Sequence, residues 1–571
     1  MERSYGSRRT ALAALAGFTL LSCVWSWSLL INPLDRATKG ATGDGTLIGW
    51  FLTWVPWAVL HAHNPLVSGY LDAPRGVSTM WNTGLTLLGL LLAPLTLTLG
   101  PVASLNVITI AAPAASAFTA FLLLRRHAHG LGATAGALLF GFGPAVAAQN
   151  IGHYNLSFLA LPPLIVMAIE DLIGPAGYRT RRVGVRLGVL LIAQLLIGEE
   201  ILLITAVAVA VLLGFWLVVG ALRSRTEVLG AGRRLLVGGG TAVAVFVVLA
   251  AFPLFEQFHG RYVLHSPIQS TDSYAARAAQ LVVATPLLWL HGFYPGSTNL
   301  SEIDGYLGWG VLAVVVIGAA LTRRRWAFLV VLATLIVLEV FSFGPYRQIG
   351  KPASGRLPWD LVAHRGLFAN LLTVRFGIIA ALAAAFLLAL SLDAVRARLP
   401  GRRGTALAAV LAVAALAPLF PHGWPTAVAP DRPDCMQGGL VESIRSSHPT
   451  LLLPYPNVLD TRAQLWQAEA HFPFPIVGGY AVHPDRAEPY LDGTRGPVRD
   501  LFLSLVVAPD SAARDALGPG VLADLRGNDV RQIVVLPTRS AVSDGRFQRY
   551  LHNVLALAPR RVGQCTVYRL S

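Results

Sequence analysis

The stretch TKGATGDGTLIGWFLTWVPWAVLHAHNP, Thr38 to Pro65, sets a carboxylate, Asp44, between Gly43 and Gly45. An apolar run holding Trp50, Trp54 and Trp57 follows at once. How that run is counted decides the fold. As a membrane span on its own, it would invert the sidedness of everything after it. A second apolar stretch, 82–99, raises the same question. Counted together as a hairpin, the two would leave the sidedness unchanged. The preferred reading makes both interfacial or re-entrant helices. The first is rich in tryptophan, which suits the headgroup level. The second is interrupted by Pro94 and ends at Gly100-Pro101.

The rest of the chain frames that choice. Of 571 residues, 54% are hydrophobic and 13% charged; soluble domains carry about 25% charged residues. Apolar runs of roughly 20 residues recur, each long enough for about 30 Å of hydrocarbon. Eleven spans are expected, at roughly 11–32, 103–124, 132–149, 156–174, 184–198, 201–222, 235–255, 306–322, 326–344, 376–395 and 405–421. The basic start, Glu2 to Arg9, feeds an apolar run reaching Ile31. That is too long for a cleaved signal, so a retained anchor with a cytoplasmic N-terminus is expected. Every second connection then carries arginines: Arg125 and Arg126; Arg179, Arg181 and Arg182; Arg223, Arg225, Arg233 and Arg234; Arg323, Arg324 and Arg325; Arg396, Arg398, Arg402 and Arg403. Five arginine clusters on one side are the positive-inside pattern. That pattern accounts for the net charge of +15 without a nucleic-acid partner.

The opposite side receives a long first loop, 33–102, short turns at 150–155 and 199–200, loops 256–305 and 345–375, and the polar segment 430–571. Strands are expected at TLLLPYP (450–456), RQIVVLP (531–537) and CTVYRL (565–570), with helix between them. The expected fold class is therefore a polytopic α-helical membrane protein, with about eleven transmembrane helices in 1–429 and a C-terminal extracytoplasmic α/β domain, 430–571. Cys435 and Cys565 lie near the two ends of that domain, and an oxidising compartment would join them; the alternative is two thiols too far apart to bond. Cys23 reads as packing in the first span.

Several polar residues on the outer side are candidates for chemistry. Asp44 is placed to act as a general base toward an acceptor hydroxyl. It reads equally well as the N-cap of a helix starting near Thr46. Asp35, after Asn32-Pro33-Leu34, reads as a turn former. Glu199 and Glu200 sit in a tight outer turn, where paired carboxylates are costly unless hydrated or paired. They position an acceptor or a metal, or cap a helix. Gln149, Asn150, His153, Tyr154 and Asn155 form a dense polar turn suited to sugar hydroxyls. Arg347, Lys351, Arg356, Arg365 and Arg375 share one outer loop, and Arg375 stands at the mouth of a span. Guanidinium groups there suit a lipid phosphate. Trp466, Phe472, Phe474 and Tyr480 offer stacking faces to an acceptor glycan, or else form core.

A polyprenyl-phosphate sugar keeps its tail in the bilayer and its phosphate at the surface. Its leaving group is a stabilised phosphate anion. One carboxylate base and cations for the phosphate are then a sufficient minimum, unlike the two carboxylates usual in glycoside hydrolysis.

The loop GDGTLIGWFLTWVPWAVLHAHNPLVSGYLDAPRGV, with NLSEIDGYLGWG (299–310), LTVRFG and LLLPYPN…LWQAEAHFPFPIVGGY (451–480), resembles the GT-C superfamily of polytopic glycosyltransferases. It is similar in particular to actinobacterial membrane proteins of that type. The resemblance implies a GT-C-like fold in a bacterial plasma membrane and transfer from a polyprenyl-phosphate-linked sugar to a cell-envelope glycan or lipid on the outer face. Asp44 would take the place of the first-loop catalytic acid. Arg375, Arg365 and Lys351 would meet the donor phosphate. Glu199, Glu200, His153, Gln149 and Asp35 would be supporting polar groups, and Trp466 and Tyr480 would contact acceptor. A second acid common in the next outer turn of such enzymes is replaced here by Gln149 and His153. A divalent cation is the one cofactor the reading admits, with no ligand set named. The competing classes are a transporter or lipid flippase and a non-catalytic envelope-assembly protein. Transporters place ionisable groups near mid-membrane, whereas these spans are nearly free of charge, Glu339 being the main exception.

Overall fold

Long apolar runs have one good solution in lipid, the helix, which satisfies its own backbone. All eleven expected stretches are helical in the computed structural model. It describes residues 8–38, 43–82, 84–174, 179–269, 274–291, 299–303, 305–322, 325–346, 355–484, 493, 496–507, 512–537 and 541–570. Among these, seven helices are long and apolar enough to cross a membrane: Pro101–Leu124, Gly130–Gln149, Tyr154–Ile173, Glu199–Arg223, Arg225–His259, Thr373–Arg396 and Arg402–Leu419. The other four expected spans correspond to shorter or less apolar helices. They are Arg8–Trp25 followed by Trp27–Ile31, Thr180–Leu195, Trp309–Leu321 and Arg325–Ser342.

The chain forms two compact units. The first comprises Met1–Ile31, Val107–Ala250 and Gln269–Pro425. At its centre the helix Phe376–Arg396 is buried along most of its length. It packs against Gly130–Phe142, Trp309–Leu321, Arg325–Ser342 and Arg402–Leu416. Small residues make that packing close. A Cβ on Gly132 or Gly136 would stand 2.5 Å from the carbonyl oxygen of Ala389 or Ala385. Two glycines four residues apart therefore let one backbone lie directly on another, the usual geometry of tight helix pairs in lipid.

The second unit comprises Asn32–Asn106, Ala251–Ile268 and Thr426–Ser571. It is thus larger than the expected 430–571 domain. Its centre is a four-stranded sheet in the order Thr450–Leu453, Gln532–Val535, Cys565–Arg569, Pro559–Val562. The first pair is parallel, with Leu451 opposite Ile533; the other two pairs are antiparallel. Alternate residues face opposite sides of a sheet. Leu451, Leu453, Ile533, Val535 and Tyr568 enter a core with Phe502, Leu505, Phe547 and Tyr550. Leu452, Val534 and Val567 enter a second core with Trp50, Trp54, Phe472 and Ile476. Both faces are covered, which is why TLLL and QIVV are continuous apolar runs rather than alternating ones. Cys435 and Cys565, in the second core, are joined by a disulfide with Cα atoms 6.0 Å apart.

The tryptophan-rich stretch departs from expectation. It is the helix Asp44–Leu60. Leu47, Trp50, Phe51, Trp54, Trp57 and Ala58 recur every three or four residues and point into the second core. Trp50 is 0% and Trp54 2% exposed. Their faces pack on Phe472, with ring centroids 5.1 and 5.4 Å away. The aromatic stripe is interior packing inside this unit and not a headgroup belt. The stretch 82–99 contains two short helices, Thr86–Leu91 and Ala93–Leu99, which meet at Leu92 just before Pro94. Neither reaches the length of a span.

Candidate functional site

Asp44 opens the helix Asp44–Leu60. Gly43 occupies the N-cap position with φ 67°, a left-handed conformation in which glycine alone is unstrained. This corrects the N-cap reading of Asp44: its carboxylate sits in the first helical turn, where the helix dipole favours a negative charge. The hydroxyl of Tyr480 donates to its Oδ1 at 2.6 Å. Around it, Gly43 N–H donates to Thr461 Oγ1 at 3.4 Å, and the Thr461 hydroxyl donates to Thr46 Oγ1 at 3.0 Å. The helix is tied down further along. Trp50 Nε1 donates to Gln467 Oε1 at 2.7 Å, and Gln467 Nε2 donates to the carbonyls of Tyr70 and Phe474. The segment 461–480 therefore fixes where Asp44 stands. Asp35, in the same unit, is exposed in a turn, and its carbonyl accepts the Ala429 N–H at 2.7 Å.

The acceptor-stacking expectation is corrected. Tyr480 is 6% and Trp466 4% exposed, and Phe472 and Phe474 are fully buried. Trp466 donates its Nε1 to the Pro430 carbonyl at 3.1 Å. These rings are core, and Tyr480 presents its hydroxyl to Asp44 rather than a face to a sugar. Beside them, burial pushes the Glu469 carboxyl up to about 7, against the opposing pull of Arg432. Burial also lowers the His471 imidazole, with Arg432 adding to the effect.

The first unit holds a separate polar cluster. Arg375 Nη1 pairs with Glu200, while its Nε and Nη2 grip both oxygens of Glu302 at 3.2 and 2.5 Å. Glu200, in the first turn of the helix Glu199–Arg223, also accepts the Leu372 N–H at 3.1 Å. His153 Nδ1 lies 3.6 Å from Glu302 and 2.9 Å from Gln149 Oε1. Gln149 in turn donates to the Ser301 carbonyl at 2.7 Å. Four sequence candidates, Glu200, His153, Gln149 and Arg375, thus come together; Glu199 is their neighbour in the helix. The fifth member, Glu302, escaped sequence reasoning. It stands in the NLSEIDGYLGWG motif, whose two acids, Glu302 and Asp304, were the available signal. The cluster corrects the view of Arg375 as an available cation. Its guanidinium is already engaged by two carboxylates, with which a phosphate there would have to compete. Arg365 is exposed in the same unit. Lys351 lies outside the described residues. Among those residues no three His, Cys, Asp or Glu side chains group as a metal site.

Another feature that sequence reasoning missed is a buried pair in the second unit. His483 Nδ1 lies 2.9 Å from Asp72 Oδ2, with the side chains 2% and 5% exposed. Gly493 N–H donates to His483 Nε2 at 3.0 Å.

The sequence matches no protein-family model and no curated protein. Solved structures do share its fold. The oligosaccharyltransferase of Archaeoglobus fulgidus aligns with TM-score 0.51 at 14% identity, over 93% of this chain and 70% of that one. AglB from the same organism, solved with an inhibitory peptide and a dolichol-phosphate, gives TM-score 0.51 at 13% identity, over 92% and 69%. The mycobacterial arabinofuranosyltransferase AftD gives TM-score 0.56 at 13% identity, over 99% of this chain but 42% of that one. The chain thus spans less than half the length of AftD. At these identities the likeness is one of fold alone.

Proposed function

We propose that the chain is a membrane glycosyltransferase. In this reading it takes a sugar from a polyprenyl-phosphate donor and passes it to a cell-envelope glycan or lipid on the outer face of a bacterial plasma membrane. Asp44 is the general base. The observation that carries the reading is the placement of that carboxylate. It stands at the start of a helix, behind a glycine without a side chain, and accepts a hydrogen bond from the Tyr480 hydroxyl. Such a carboxylate can accept a proton from an incoming hydroxyl while the sugar–phosphate bond breaks. The fold supports the class, since its solved neighbours are glycosyltransferases and one of them is held with a dolichol-phosphate.

The test is transfer from a synthetic polyprenyl-phosphate sugar by the purified full chain. Asp44→Asn should lower kcat by about 10²–10⁴, the range general-base catalysis supplies, with KM little changed. Tyr480→Phe should cost less and should also act on kcat, since it removes a hydrogen bond that helps to orient the carboxylate. Wild-type turnover by Asp44→Asn removes this residue from the mechanism.

A further inference from the structure

The first unit contains an apolar groove of about 730 Å³ that none of the chemistry above uses. Thr205, Ala208, Leu212, Trp216, Val219 and Arg223 line it, all on one helix. Their spacing of three and four residues is one face of that helix. From Thr205 to Arg223 the groove runs about 27 Å at 1.5 Å per residue, close to the hydrocarbon thickness of a bilayer. Facing helices contribute Val331 and Leu338, and Ala383 and Phe386. A slot this long and this apolar fits an extended hydrocarbon chain and no compact sugar.

Its rim is polar at one end only, and that end is the far end of the helix from Glu200. Arg223 stands over the Trp326 ring at 5.8 Å. Ser224, Glu227, His127 and Glu170 complete the rim. Glu170 is already engaged, by His127 at 2.7 Å and Arg126 at 3.3 Å. Arg223 and Glu227 make no ion pair among the described residues. One positive and one negative group are therefore left facing the mouth of the groove.

We propose that this groove binds one zwitterionic glycerophospholipid of the surrounding bilayer. An acyl chain would lie along the Glu199–Arg223 helix, the phosphate on Arg223 and Ser224, and the headgroup amine on Glu227. The chain alone cannot explain retention, because lipid tails are as apolar outside the groove as inside it. Selectivity comes from the headgroup, and a rim of one cation and one anion matches a phosphate–amine pair better than a purely anionic lipid. The headgroup end of the site lies at the opposite end of the helix from the Glu200–Glu302–Arg375 cluster, whose residues do not line the groove.

Native mass spectrometry of the delipidated full chain tests this, with phosphatidylethanolamine, phosphatidylglycerol or a polyprenyl phosphate added singly. A one-to-one phosphatidylethanolamine adduct is expected, held in preference to phosphatidylglycerol. Val209 also lines the groove; Val209→Trp and Ala383→Phe, which fill it from two different helices, should each weaken the adduct about tenfold, a difference of roughly 1.4 kcal/mol. Glu227→Gln should abolish the preference between the two phospholipids and keep both adducts. An adduct indifferent to both groove-filling variants overturns the proposal. So does a wild-type preference for phosphatidylglycerol, or a polyprenyl phosphate that displaces phosphatidylethanolamine from the wild type. Sugar transfer is measured separately, so failure here is distinguishable from failure of the transferase reading.

Discussion

At the residue scale, charge compensation separates the candidates. Arg375 is held by two carboxylates with side-chain exposures of 13%, 18% and 2% for Arg375, Glu200 and Glu302. Removing one partner of a buried ion network leaves uncompensated charge, which costs about 3–5 kcal/mol. Arg375→Met should therefore lower the melting temperature of the purified protein sharply. The triple variant Arg375→Met, Glu200→Gln, Glu302→Gln should recover most of the loss. A phosphate-binding arginine would instead leave stability intact and raise KM for the donor. Glu469 gives a second handle. Its carboxyl ionises near 4.5 when unfolded and near 7 when folded. The native state holds the proton longer, so this group's contribution is full below about 4.5 and is lost as pH rises toward and past 7. Glu469→Gln should flatten that loss between pH 5 and pH 8 in thermal melts, by at most about 3 kcal/mol. Asp44 stood out in the sequence as a candidate because glycines flank it. Tyr480 stood out only as an aromatic; that its hydroxyl meets Asp44 depends on a partner 436 residues away.

At the element scale, hydropathy located helices well and misjudged one environment. The Asp44–Leu60 run was recognisable as helix from its apolar content. Its tryptophans suit both a headgroup belt and a protein core, and composition does not tell these apart. The decision was made by Phe472, Ile476 and the strands Thr450–Leu453 and Gln532–Val535, which supply a face for the stripe. The three strands read from the sequence are present, since β-rich runs bounded by proline or glycine carry a local signal. The fourth, Pro559–Val562, is largely exposed and rich in arginine, so it carries little. Helix contacts show the same limit. Gly132 and Gly136 look like ordinary members of an Ala/Gly-rich run until Ala385 and Ala389 are seen against them. Gly136→Val should force the two helices apart and cost about 1–3 kcal/mol, read as a lower melting temperature in detergent. Gly130→Ala, where a Cβ meets nothing within 4 Å, should be near neutral.

At the scale of the whole molecule, the second unit is stitched from three separate segments of chain. Sequence composition placed its boundary near 430, where the polar character begins. The structure places 32–106 and 251–268 with it, because apolar surface on the later segment has to be covered. One face of the sheet, with Leu452, Val534 and Val567, and the rings of Phe472 and Phe474 form a core to which the first loop adds Trp50, Trp54 and Trp57. A fragment 430–571 expressed alone keeps its disulfide and its other core. It bares the face that the Asp44–Leu60 helix covers. Contiguous apolar patches of more than a few hundred Å² drive association. The fragment should therefore aggregate or bind a hydrophobic dye in size-exclusion and fluorescence assays. A fragment joining 32–106 to 426–571 through a flexible linker should do so far less. A monomeric, dye-silent 430–571 fragment would show that the first-loop helix is dispensable to that core, and with it the idea that the later segment holds Asp44 in place.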